Sequence, residues 1–145
     1  EQLGIPGVRR FMSQMLVLDF LICNQDRHFG NFGALRDAVT LDWLGMAPVY
    51  DSGTSLWQDK LTPDIHARAD ASAKPFRNTH SKQLELVAKD LDWLDFSALQ
   101  GLQEEIYDIY EKARFGEPNR AAVLSRAVAT RCELLQDRVR GLAHS

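Results

Sequence analysis

The feature that most constrains this chain is an abrupt change from apolar to polar residues after Cys23. From Val8 to about Cys23, apolar side chains recur at helical spacing and cover most sides, which predicts a largely buried helix. The polar loop that follows, Asn24 to Asn31 (NQDRHFGN), predicts an irregular segment that holds side chains towards a cleft. The apolar positions of the helix are Val8, Phe11, Met12, Met15, Leu16, Leu18 and Ile22.

Two short apolar segments follow the polar loop. They span Phe32 to Leu35 and Val39 to Val49, and Arg36-Asp37-Ala38 provides a turn between them. This pattern predicts a small antiparallel hairpin. Because an antiparallel return brings its two outer ends together, we expect Asn31 and Asp51 to lie close to each other.

Three side chains in this region carry the oxygens that a metal-dependent phosphoryl-transfer site needs. Asp26 stands five positions before Asn31, and Asp51 follows later as part of Asp51-Ser52-Gly53. An Asp at this spacing would orient the proton of an attacking hydroxyl. The Asn31 amide and the Asp51 carboxylate would bind the divalent ions that neutralise nucleotide phosphates. The pattern is typical of half of a kinase active site.

Residues 18–31 (LDFLICNQDRHFGN) and 47–55 (APVYDSGTS) closely resemble the catalytic core of the HipA-like serine/threonine kinases. The phosphoinositide kinases carry a related Asp-Arg-His-x-x-Asn. Strong motifs cover roughly residues 8–56, and the helical remainder resembles the family only loosely. The resemblance implies that Asp26 is the catalytic base and that Asn31 and Asp51 bind the metal. The Asp51 motif has Ser52 in place of the Phe of Asp-Phe-Gly, so the resemblance implies the metal role of Asp51 but no switch that depends on that aromatic ring.

The neighbouring polar residues have expected supporting roles. Arg27 and His28 are expected to brace the loop by hydrogen bonds, and Arg27 is also a candidate phosphate contact. A lone His without other ligands nearby is more typical of structure than of metal binding. Asp19 lies within an apolar run, so if it is buried we expect Arg27 or a loop amide to pair with it. The remaining supporting residues are Asn24 and Gly53.

A simpler interpretation is available for each motif residue. Asp26 and Asn31 could be turn residues that cap backbone groups, and Asp51 could be a turn residue before Gly53. The match extends through Arg27, His28 and the downstream Asp-x-Gly, which favours the kinase interpretation.

Composition limits the possible partners and location. With 145 residues, a net charge of −3 and a pI near 5.8, the chain suits one domain or lobe and lacks the basic footprint of nucleic-acid binding. Its longest apolar run, Met15 to Cys23, is too short to span a bilayer. We therefore expect a cytoplasmic protein without membrane or direct nucleic-acid contacts. Cys23 and Cys132 lie in separate apolar helical patterns, which favours free thiols.

The remainder predicts a long loop and three helices. Residues 58–79 are poor in large apolar side chains, so they form either an activation or substrate-binding segment or a connector without a role. Helical patterns follow at Ser81 to Leu91, from a capping box at Ser97 to about Phe115 with Gly116 as the stop, and from Pro118 to Leu142. The expected fold is mainly α with a small β-hairpin, which resembles the C-terminal lobe of a protein-kinase-like fold.

The chain begins without an initiator Met, and no glycine-rich loop with a strand lysine precedes Asp26. Kinases place both elements before the catalytic loop. We therefore expect residues 1–145 to be a single C-terminal lobe without its N-terminal lobe, from a truncated gene product or an expressed fragment.

Two classes of function remain open. The first is the catalytic lobe of an ATP- and Mg²⁺-dependent serine/threonine kinase acting on a protein, or of a related kinase acting on a small molecule or lipid. The resemblance implies that such proteins often act as toxins controlled by a DNA-binding antitoxin. The second is a non-catalytic binding or regulatory module derived from the same fold.

We predict that the chain alone binds Mg²⁺·ATP weakly and does not turn it over. We expect the phosphate-covering loop and its lysine to be absent from residues 1–145, and each such electrostatic contact contributes about 10²-fold or more to the rate. Calorimetric titration with ATP and magnesium, together with a phosphate-release assay, measures both properties. Tight binding or robust turnover by residues 1–145 would contradict this prediction.

Overall fold

The computed structural model describes residues 3–113 and 117–143 of the chain. Within these residues the protein is mainly helical, with one small two-stranded antiparallel sheet, which confirms the coarse fold predicted from the sequence. The elements in chain order are α1 (Val8–Leu21), β1 (Ala34–Arg36), β2 (Trp43–Met46), α2 (His80–Leu86), α3 (Leu102–Ala113) and α4 (Arg120–Ala143).

Helix α1 forms the centre of the main core. Its residues Met15, Leu16 and Phe20 are buried, and the helix packs against both α2 and α4. The helix ends slightly earlier than predicted because Cys23 adopts a left-handed backbone with φ 53°. The backbone N–H of Asn24 then donates to the carbonyl of Asp19 at 2.9 Å, which turns the chain into the polar loop.

The hairpin is present, but its turn lies later than predicted. Arg36 belongs to β1 and pairs with Trp43, so Arg36-Asp37-Ala38 is not the turn that was expected. The carboxylate of Asp37 accepts the backbone N–H groups of Val39 and Thr40 at 2.8 and 2.7 Å. These side-chain hydrogen bonds hold the longer turn, so the second strand begins at Trp43 rather than at Val39.

The helical remainder differs from its prediction at element boundaries. The expected helix from Ser81 to Leu91 is split into α2 and a short 3-10 turn at Ala88–Asp90. The capping box expected at Ser97 does not start a helix, because Phe96–Leu99 forms a 3-10 turn and Gly101 follows with φ 85°. The predicted end of the next helix, Phe115 and Gly116, lies outside the described residues.

Helices α3 and α4 pack together and complete the fold. Helix α4 begins at Arg120, just after Asn119, whose φ is 63°. The guanidinium of Arg120 donates to the carbonyls of Trp57 and Lys60 at 2.8 and 2.9 Å, so the start of α4 fixes the chain that follows the hairpin. The largest fully buried aliphatic residues outside α1 are Leu84, Leu124, Val128 and Leu135.

Both cysteines are free thiols. Cys23 is buried and Cys132 is partly buried. Burial raises the pKa of each thiol above its ordinary value, because the thiolate loses hydration. In the part of the chain that the structure describes, no helix combines the length and apolar character needed to cross a membrane.

Candidate functional site

A buried ion pair anchors the polar loop to α1. The guanidinium of Arg27 donates from Nε and Nη2 to the two carboxylate oxygens of Asp19, at 2.9 and 2.8 Å. Both side chains are almost completely buried. The amide of Asn24 donates to the same carboxylate at 2.9 Å, so Asp19 receives both of the partner types predicted for it. The carboxylate is thereby satisfied inside the core.

Arg27 also reaches the segment after the hairpin, which we call the Asp51 turn (residues 50–53). Its Nη1 donates to the backbone carbonyls of Tyr50 at 2.5 Å and Asp51 at 3.3 Å, and its Nη2 donates to the hydroxyl of Ser52 at 3.1 Å. Arg27 is fully buried, so it braces two segments and has no surface for a phosphate contact.

The backbone of Asp51 has a conformation that L-residues rarely adopt. Its φ is 54°, in the left-handed region that Asp tolerates better than most residues. The hydroxyl of Tyr50 donates to the carbonyl of Gly30 at 2.9 Å, and the N–H of Gln25 donates to the carbonyl of Thr54 at 3.1 Å. These contacts and those of Arg27 hold the Asp51 turn against the polar loop.

The structure brings Asn31 and Asp51 into direct contact. Nδ2 of the buried Asn31 donates to Oδ2 of the exposed Asp51 at 2.7 Å, across 20 positions of sequence. The other end of the Asn31 amide accepts the backbone N–H of His28 at 3.0 Å. The antiparallel return of the hairpin therefore has the effect expected from the sequence.

His28 and Gly53 have local structural surroundings. The ring Nδ1 of His28 accepts the backbone N–H of Gly30 at 3.1 Å, so the side chain caps the 3-10 turn Phe29–Asn31. Gly53 is exposed, and a Cβ placed there would lie 4.0 Å from Oδ1 of Asp51, an ordinary contact. The neighbouring atoms would therefore leave room for a side chain at position 53.

Asp26 lies in the same loop but has a different partner. Its Oδ1 accepts a hydrogen bond from Nζ of Lys74 at 2.8 Å, and both side chains are substantially exposed. The hydrogen bond from Lys74 lowers the pKa of Asp26, with further lowering by the charges of Lys74 and His28. Asp26 is therefore ionised at neutral pH and can only accept hydrogen bonds.

Sequence reasoning missed Lys74. It lies in the segment 58–79, which was predicted only as a loop with or without a functional role. The position of Lys74 after the Asp51 turn, where kinases keep an activation segment, was the available signal, but nothing in its spacing pointed to Asp26.

The donor atoms at Asn31 and Asp51 fit a magnesium ion in kind. Carboxylate and amide oxygens are ligands that hard cations prefer, and Mg²⁺ commonly takes only one or two protein side chains together with substrate phosphates. Asn31 directs its nitrogen towards Asp51 and its oxygen towards the N–H of His28, and an amide oxygen has a second lone pair that can bind a cation. Within residues 3–113 and 117–143 no cluster of three or more His, Cys, Asp or Glu side chains is suited to a metal ion.

A separate cavity of about 370 Å³ is lined by residues that include Phe20, Arg68 and Arg131. Its lining does not include Asp26, Asn31 or Asp51, so the candidate site lies outside this cavity. Comparisons of the chain with models of protein families, with curated proteins and with solved structures found no match.

We predict that Arg27→Met destabilises the protein by about 3 to 5 kcal/mol, because the Asp19 carboxylate would stay buried without its cation. Urea unfolding followed by circular dichroism measures the loss. Lys112→Met is the matched control, because Lys112 pairs with Asp108 on the exposed face of α3 and its removal should leave the transition almost unchanged. An Arg27→Met protein as stable as the control would show that the ion pair does not hold the two segments.

Proposed function

We propose that this chain is the catalytic-loop lobe of an ATP- and Mg²⁺-dependent serine/threonine protein kinase of HipA-like type. The observation that carries the proposal is the contact of 2.7 Å between the side chains of Asn31 and Asp51. These are the two residues that the motif pattern selects as metal ligands, and Asn31 follows the selected base, Asp26, by five positions in the sequence.

Asn31 and Asp51 would hold the cation of the nucleotide. Magnesium-bound ATP supplies the transferable phosphoryl group and the positive charge that offsets its oxygens. Arg27 contributes indirectly, because it fixes the backbone of Tyr50 and Asp51 while staying buried. The arrangement supports catalysis by positioning and electrostatics, without a covalent intermediate on the protein.

Asp26 would orient the acceptor hydroxyl. Its carboxylate is partly exposed and ionised, so it can accept a hydrogen bond from an alcohol without first losing a proton. The deprotonated carboxylate is the form that a base or orienting group requires. Nothing in these residues selects among a protein, small-molecule or lipid alcohol, and the assignment to a protein acceptor comes from the family resemblance.

One observation favours the alternative of a non-catalytic binding or regulatory module. Asn31 already has partners at both ends of its amide, Asp51 and the backbone of His28. The loop is therefore satisfied by hydrogen bonds without any cation. Cytoplasmic location and control by a DNA-binding antitoxin are further parts of the proposal, and both come from composition or resemblance alone.

Asp26→Asn and Asp51→Asn should separate the two roles in the full-length protein that contains this sequence. Asp26→Asn should lower kcat by about 10² to 10⁴-fold with little change in the KM for ATP, because it removes only the orienting carboxylate. Asp51→Asn should also raise the KM for Mg²⁺·ATP, because it weakens a metal ligand. Radiolabelled phosphoryl transfer at varied ATP and magnesium measures both effects.

The control for these variants is Asp108→Asn, which neutralises an exposed carboxylate on α3. It should match the wild-type protein in both kinetic constants. Wild-type phosphoryl transfer by both Asp26→Asn and Asp51→Asn would overturn the proposed function.

A further inference from the structure

Lys74 reaches Asp26 from a distant part of the sequence. The two residues are 48 positions apart, and Nζ of Lys74 lies 2.8 Å from Oδ1 of Asp26. The side chains are 60% and 46% exposed, and an ion pair of that kind contributes little to stability. The importance of this contact therefore depends on whether the fold holds Lys74 in place.

The backbone around Lys74 is held by one buried amide. Gln83 on α2 is only 2% exposed. Its Nε2 donates to the carbonyl of Lys74 at 2.7 Å, and its Oε1 accepts the N–H of Phe76 at 3.1 Å. Both ends of the Gln83 side chain are thus used to fix the residues on either side of Pro75.

Residues 72–79, which we call the Lys74 loop, also close on themselves. Ser72 and Thr79 form an antiparallel bridge, and the N–H of Ala73 donates to the carbonyl of Asn78 at 3.1 Å. Ala73, within this loop, is buried. Lys74 is therefore carried by a short, internally bonded loop and not by a free connector.

The Lys74 loop contacts the polar loop at a second point. The ring of Phe76 lies 5.6 Å from the ring of Phe29, in an edge-to-face arrangement, and 6.0 Å from the ring of Phe32. Phe29 and Phe32 flank Asn31 in sequence. The loop that supplies the cation for Asp26 thus also packs against the two phenylalanines on either side of Asn31 in the sequence.

We propose that Lys74 is a positioning residue of the phosphoryl-transfer site, which acts by holding the Asp26 carboxylate in place for the acceptor hydroxyl. This inference rests on the proposed function. An ionised carboxylate has two oxygens with about four lone-pair sites in all. Lys74 binds Oδ1, so Oδ2 can accept the hydroxyl.

The charged groups around Asp26 act in one direction. Lys74 faces it from the Lys74 loop and favours the ionised carboxylate by its hydrogen bond and its charge. His28, on the polar loop, adds to this effect when its ring is protonated. The cation of Arg27 is directed into the core towards Asp19. Removal of Lys74 therefore takes away the main group that lowers the pKa of Asp26. The titration midpoint of Asp26 should then rise.

The first measurement needs no nucleotide and no activity. Carbon-13 NMR titration of the Asp26 carboxyl is carried out on this chain as wild type, Lys74→Met and Lys74→Arg. Lys74→Met should raise the Asp26 midpoint, and Lys74→Arg should keep it near the wild-type value because it retains the cation. Lys82→Met, which removes an exposed lysine of α2, is the control and should also match wild type.

The second measurement uses the full-length protein that contains this sequence. Lys74→Met should lower kcat by about 10 to 100-fold while leaving the KM for ATP within about twofold, as expected for a misplaced catalytic group. The acidic limb of the pH–rate profile of Lys74→Met should move to higher pH, because Asp26 gains its proton at a higher pH in this variant. Lys74→Arg should restore most of the rate.

The outcomes separate the two ideas. In one outcome, Asp26→Asn is inactive, and Lys74→Met matches the wild-type protein in both the Asp26 midpoint and kcat. That outcome would overturn the role of Lys74 and leave the proposed function standing. A fully active Asp26→Asn protein would overturn the proposed function, and the inference about Lys74 would fail with it.

Discussion

The buried ion pair between Asp19 and Arg27 is the contact on which the candidate site depends. Two opposite charges inside a core are tolerated only when their hydrogen-bonding groups are satisfied, and here Arg27 uses its planar head on Asp19 and on residues 50–52. One side chain therefore joins the end of α1, the polar loop and the Asp51 turn. The hairpin brings Asn31 and Asp51 together, and this junction holds the two segments that carry them.

The sequence predicted the features that depend on local periodicity and on burial of charge. Helix α1 followed from apolar spacing, and a partner for Asp19 followed from the cost of an unpaired charge in an apolar run. The approach of Asn31 to Asp51 followed from the antiparallel return of a hairpin, even though the strands are shorter than expected. All three features are set by local periodicity, by burial of charge or by a short chain reversal.

The remaining features depend on contacts that no local pattern encodes. The hairpin turn is displaced because the Asp37 carboxylate binds two later backbone N–H groups, and α3 starts late because Gly101 interrupts the helical pattern. The contact of Lys74 with Asp26 depends on Gln83, a polar residue buried by tertiary packing. The sequence alone does not show that this glutamine is buried, or which loop it binds.

The central claim is that Asn31 and Asp51 form a cation site for nucleotide phosphates. The most direct measurement is a crystal structure of the full-length protein that contains this sequence, with Mg²⁺ and a non-hydrolysable ATP analogue. Our account predicts the Asn31 amide oxygen and an Asp51 carboxylate oxygen at about 2.0 to 2.1 Å from magnesium, the usual distance for this ion. Magnesium and nucleotide bound elsewhere, with the hydrogen bond from Asn31 to Asp51 intact, would contradict it.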